Sequence, residues 1–125
     1  MKIYDPMIQP PSEDWLALDE DDQIELVTAY HEQSRVKIPA MEIHALLHVV
    51  VEDQLAEGIE AVQDALERLM QEALDRHEAI HAVGEVLLEH LRNLMRPDEA
   101  GPRPHEKYFE DLKNLTAATW VKRTT

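Results

Sequence analysis

Apolar residues along this chain recur at intervals of three and four, the spacing that lines up one face of an α-helix. Residues 1–11 are the exception: they hold three prolines and no period, and predict an extended arm. Ser12 stands where it could cap a short turn of helix reaching Leu18. Asp19 caps a stronger helix, with Glu20, Asp21 and Asp22 at its positive end. Ile24, Val27 and Tyr30 give that helix its apolar face, and Pro39 bars its continuation. A third helix is predicted from about Ala40 to Glu57, stopped by Gly58. Its stripe of Ile43, Leu46, Leu47, Val50, Val51 and Leu55 is too broad for a fully exposed helix.

A fourth helix, roughly Ile59 to Ala73, carries Ile59, Val62, Leu66, Leu69 and Met70 at amphipathic spacing. Asp75-Arg76-His77-Glu78 then has the form of a capping box, with Asp as the cap and Glu three residues on. The fifth helix starts there and runs to about Met95, with Ile80, Val83, Leu87, Leu91 and Leu94 facing inward. Arg96 to Pro104 holds three prolines and one glycine and reads as a linker. A last short helix near His105 to Leu115 would pack through Tyr108, Phe109 and Leu112. The tail beyond it, with Trp120, Lys122 and Arg123, is expected to be less ordered.

These elements predict an all-α fold, an up-and-down bundle of four to five helices with an extended N-terminal arm. Residues 1–96 would form the bundle, and residues 97–125 a linker, short helix and basic tail packed on the bundle or on a partner. Composition agrees with helix over sheet: five per cent of residues are aromatic and only three are glycine. At 125 residues the chain can bury a modest core in one domain without staples. There are no cysteines, which excludes disulfides, thiolate ligands and thiol catalysis, and fits a reducing cytoplasm.

The net charge of −14 argues against non-specific binding to nucleic acid or to an anionic membrane surface. Residues 1–91 carry 5 basic and 21 acidic side chains, whereas residues 92–125 carry 7 and 5. A mildly basic tail on an acidic body could fold back on it or meet a second copy, so a homo-oligomer is one expectation. No charged leader precedes an apolar stretch, and no apolar run approaches the length of a membrane span. A cytoplasmic protein is expected.

Against this background two stretches stand out. His44, His48 and Glu52 are answered 33 residues later by His77, His81 and Glu85, each triplet reading H-x3-H-x3-E. Residues four apart lie one turn above each other on a helix, so each triplet is a ladder of two imidazoles and a carboxylate. Two ladders supply four nitrogens and two oxygens, enough for one or two transition-metal ions. Short connections make successive helices antiparallel, so the third and fifth should run the same way with both ladders starting at one end. At about 100° per residue, His44 and His48 fall at the edge of the apolar stripe and Glu52 further round toward solvent. The neighbours match too: Leu47 corresponds to Ile80, Val50 to Val83 and Leu55 to Leu88.

Other patterns are weaker. His77-Glu78-Ala79-Ile80-His81 matches HExxH, in which two histidines hold zinc and the glutamate activates water. The third histidine of the longer metzincin pattern would fall at Leu87, Asp75 places a charge before the motif, and no sheet edge precedes it. The capping box gives Glu78 a structural task instead. Glu57-x-x-Glu60 and Glu72-x-x-Asp75 suggest the paired acids of all-α nucleotide pyrophosphohydrolases, but they lie at opposite ends of one predicted helix. His31 is an accessory ligand candidate whose ordinary reading, like that of His90 and His105, is a packing or surface residue.

The stretch from His44-Ala-Leu-Leu-His48 through Glu52-Asp53-Gln54-Leu55, followed by Asp75-Arg-His77-Glu78-Ala-Ile-His81-Ala-Val and Glu85, resembles a small bacterial family catalogued as domain of unknown function 1841. The likeness covers about residues 40–91. That family shares H-x3-H with an acidic residue and Gln-Leu, then D-x-H-x3-H with an acidic residue four further on. The resemblance implies that the two motifs work as one unit, and it implies no substrate. Its first acidic position matches either Glu52 or Asp53, and helix geometry selects Glu52.

The expectation is therefore a metal site with His44, His48, His77 and His81 as ligands and Glu52 and Glu85 as terminal or bridging carboxylates. Zn, Fe, Mn or Ni would suit such donors better than Ca or Mg. A metal-dependent hydrolase or a di-metal oxygen-handling protein would fit. A metal-free helical interaction module is the alternative, and an HExxH zinc peptidase a minor one.

Overall fold

The structure, a computed structural model, describes residues 1–34, 38–96, 98 and 103–124, the last three by backbone alone. The expected linker falls mostly outside the described residues, as do the side chains of Lys122 and Arg123. Among the described residues the fold is all-α, with seven helices and no strand. They are α1 (Ser12–Leu16), α2 (Glu20–Gln33), α3 (Met41–Ala56), α4 (Glu60–Gln71), α5 (Arg76–Leu94), α6 (Pro104–Asn114) and α7 (Ala117–Thr124). Compactness divides the chain after Ile59 into two units, Met1–Ile59 and Glu60–Thr125. Among the described residues no helix is long and apolar enough to cross a membrane.

In the first unit α3 packs against α1 and α2. The core is Tyr4, Trp15, Val27, Ala45 and Val49, edged by Leu18, Ile24, Leu26, Tyr30, Met41 and Ala56. Tyr4 comes from the arm, which is held down rather than trailing in solvent: Tyr4, Pro6 and Pro10 are all buried. Asp19 caps α2 as its sequence position implies, accepting from the Asp22 backbone N–H at 2.8 Å. Ser12 does not cap α1; it is the first helical residue and Pro11 takes the cap position. Trp15, fully buried, donates its indole N–H to Asp53 Oδ1 at 2.8 Å, and Gln23 Nε2 donates to the same oxygen at 3.1 Å. Gln23 also donates to the Trp15 carbonyl at 2.9 Å, tying all three elements together. Burial holds the Asp53 carboxyl above its usual range, against the opposing pull of those two donors.

Helix α3 ends in a Schellman turn. Ile59 N–H reaches the Gln54 carbonyl at 3.0 Å and Gly58 N–H the Leu55 carbonyl at 3.1 Å, with Gly58 at φ 76°. Helix α4 ends identically, through Leu74 to Leu69 and Ala73 to Met70. There, however, the left-handed residue is Ala73, at φ 77°.

In the second unit α4, α5 and α6 pack on one another around Val62, Leu66, Leu69, Ile80, Val83, Leu87, Tyr108 and Leu112. The joint between α6 and α7 is clamped by Arg68 of α4 and by Glu72 just beyond its end. Arg68 donates to the Leu112 carbonyl at 2.6 Å and to the Leu115 carbonyl at 2.9 and 3.2 Å, a cation at the negative end of α6. Glu72 accepts from the Ala117 backbone N–H at 2.9 Å, an anion at the positive start of α7. His90 is buried on α5, stacked on Tyr108 of α6 with centroids 4.8 Å apart at 18°. Burial, then the nearby His105, lower the His90 pKa, and Asp111 opposes them.

Candidate metal centre

The orientation of α3 decides where its ladder lies. Its hydrophobic stripe predicts Ile43 and Leu46 inside and Glu52 toward solvent. The structure reverses this: Ile43 is 52% exposed and Leu46 36%, while His48 and Glu52 are each 1% exposed. The buried residues of α3 are Ala45, His48, Val49, Val51, Glu52 and Leu55, so the ladder turns inward at His48 and Glu52 while His44 stays half-buried. What makes this possible is Tyr4, which supplies the polar partner a buried carboxylate requires. The Tyr4 hydroxyl donates to Glu52 Oε2 at 2.6 Å and lies 3.1 Å from His48 Nδ1. Asp53, the other candidate acid, is engaged with Trp15 and Gln23 instead.

His31 joins this ladder. It is buried on α2, and its Nδ1 lies 2.8 Å from the Val27 carbonyl. A carbonyl only accepts, so Nδ1 carries the proton and donates, which leaves the lone pair of the neutral ring on Nε2. That Nε2 is 3.2 Å from His44 Nε2. Two nitrogens bound at about 2.0 Å to one tetrahedral ion would be about 3.3 Å apart, so this spacing suits shared ligation. The three rings form a near-equilateral triangle: centroids are 4.8 Å apart for His31–His44 and 4.9 Å for both His31–His48 and His44–His48. Their planes cross at 84°, 74° and 61°, and each ring offers a nitrogen within 4.8 Å of the others. The first unit thus assembles three imidazoles, a phenol and a carboxylate in its interior.

The second unit presents a pair. His77 and His81 lie one turn apart on α5, both half-buried, with centroids 4.2 Å apart and planes at 66°. The helix begins with the capping box read from its sequence: Glu78 N–H donates to Asp75 Oδ1 at 2.8 Å, and Asp75 N–H to Glu78 Oε1 at 3.0 Å. Both carboxylates are thereby engaged in starting α5, which leaves Glu78 poorly suited to activate water. Glu85, one turn beyond His81, lines a groove with Glu89, Arg92, Lys107 and Asp111. Of the acidic pairs, Glu72 binds the start of α7 and Asp75 caps α5. Among the described residues of the first unit, His31, His44 and His48 form a group that could hold a metal ion, and Glu52 is not in it.

Two contributors escape a reading of spacing. His31 sits 13 residues before His44 with no periodic relation to it, and only the α2–α3 packing brings the two together. Tyr4 is 44 residues from His48 and belongs to a segment without period. Compared with protein families, curated proteins and solved structures, the chain matches none.

Proposed function

We propose that this protein binds a transition-metal ion through a histidine-rich centre. Its ligands are drawn from His31, His44 and His48 in the first unit, and His77 and His81 are a separate candidate pair on α5. The observation that carries the reading is the imidazole triangle: three buried or half-buried rings, on two helices, turned so that nitrogens converge. Clustering three histidines in an interior is costly when they charge, because like charges repel where water screens poorly. A bound cation turns that arrangement into a favourable one, since neutral imidazole is the ligating form. The repeated H-x3-H-x3-E pattern supports treating His77 and His81, one turn apart on α5, as a ligand pair of the same kind as His44 and His48.

A nitrogen-dominated donor set suits Zn, Fe or Ni and suits Mn, Ca and Mg less well, since these favour oxygen donors. Glu52, bonded to Tyr4, acts from outside the coordination sphere, and Glu85 is the carboxylate one turn from His81. The peptidase reading loses support because Glu78 is committed to the capping box.

Elemental analysis of protein purified without a histidine tag tests the proposal. One or two ions of a first-row transition metal per chain are expected. Less than about 0.2 per chain, with no stabilisation by added Zn²⁺, Fe²⁺ or Mn²⁺, would instead favour a metal-free interaction module.

A further inference from the structure

Tyr4 is 1% exposed, tilted against Trp15 at 5.7 Å and edge-on to both Tyr30 and His48 at 6.4 and 5.9 Å. A phenol has one proton to give, and this one goes to Glu52 Oε2, 2.6 Å away. What the same oxygen offers His48 Nδ1, at 3.1 Å, is a lone pair. His48 Nδ1 must therefore carry a proton, and the lone pair of the neutral ring falls on Nε2. Glu52 lies one turn after His48 on α3, and the Tyr4 hydroxyl stands between its carboxylate and the ring.

From this chain of two hydrogen bonds we infer that Tyr4 and Glu52 are positioning residues, which hold His48 as the Nδ1–H tautomer and present its Nε2 to a transition-metal ion. The N-terminal arm is then part of the metal centre, although it supplies no ligand. The inference rests on the metal reading above and adds to it a determinant of affinity. A carboxylate acting on a ligating imidazole from outside is a recurrent device, and its loss costs about 10- to 100-fold in metal affinity. Here the carboxylate acts through an interposed phenol. Linkage is reciprocal, so a metal that needs the arm in place also holds the arm in place.

The test combines ¹⁵N NMR of the histidine rings in chelator-treated protein with Zn²⁺ titration against a competing chelator. Wild type should show His48 protonated on Nδ1. Tyr4→Phe keeps the ring packing and removes the hydroxyl; it should lose that tautomer preference and weaken Zn²⁺ binding by about 10- to 100-fold at unchanged stoichiometry. A wild-type His48 protonated on Nε2 would overturn the inference even if metal binds. So would Zn²⁺ affinity within about twofold of wild type in Tyr4→Phe. Should Tyr4→Phe fail to fold, the wild-type tautomer decides. Failure of the metal reading itself would look different: wild type would take up no Zn²⁺, whatever its tautomer.

Discussion

His44 Nε2 lies 3.2 Å from His31 Nε2, on a different helix and with no sequence pattern linking them. If His31 is a ligand of equal rank with His44, alanine at either position should weaken metal binding by more than the 10- to 100-fold typical of an outer partner. His105→Ala, at an exposed position on α6, should leave affinity unchanged. Competition against a chelator of known affinity compares the three. An effect of His31→Ala no larger than that of His105→Ala would remove His31 from the site.

The start of α5 separates two roles that one motif confuses. Glu78→Ala removes half of the capping box and should cost about 0.5–2 kcal/mol by chemical denaturation. Metal stoichiometry should not change. A loss of metal with intact stability would return Glu78 to the centre.

Ala73 closes α4 in a left-handed conformation that favours glycine. Ala73→Gly should raise stability by about 0.5–1 kcal/mol, the relief of strain exceeding the entropy glycine adds to the unfolded chain. Thermal unfolding of chelator-treated protein measures it, and a destabilised variant would refute the strain argument.

The His90 pKa is lowered from its ordinary 6.5 on folding. A base depressed in the folded state binds fewer protons there than when unfolded, so the stability it contributes is complete above the ordinary value. That stability is lost as pH falls through 6.5 toward the folded pKa. His90→Phe, which can still stack on Tyr108, should flatten the fall in stability on this side of neutrality. Denaturation of chelator-treated protein across that range would show an undiminished slope if His90 is not responsible.

These outcomes also mark what is legible in the sequence. Asp19, Gly58 and the Asp75–Glu78 box act on the few residues beside them, so the helix ends they set can be read locally. The H-x3-H ladders are equally local, because residues four apart meet on any helix. The roll of α3 is not local. Its apolar residues spread so far round that hydropathy alone favours burying Ile43, whereas the helix buries Glu52. A carboxylate reads as solvent-facing until a partner is found for it, and that partner is Tyr4, in the segment with the least pattern of all. His31 reads in the sequence only as an accessory candidate for the same reason: its relation to His44 exists only after α2 and α3 have packed.

X-ray absorption at the edge of the bound metal tests the central claim most directly. The account predicts a nitrogen-dominated first shell at about 2.0–2.1 Å with the multiple scattering of several imidazoles, diminished in His44→Ala and His48→Ala. A shell of oxygen donors without imidazole scattering, unchanged in both variants, would contradict it.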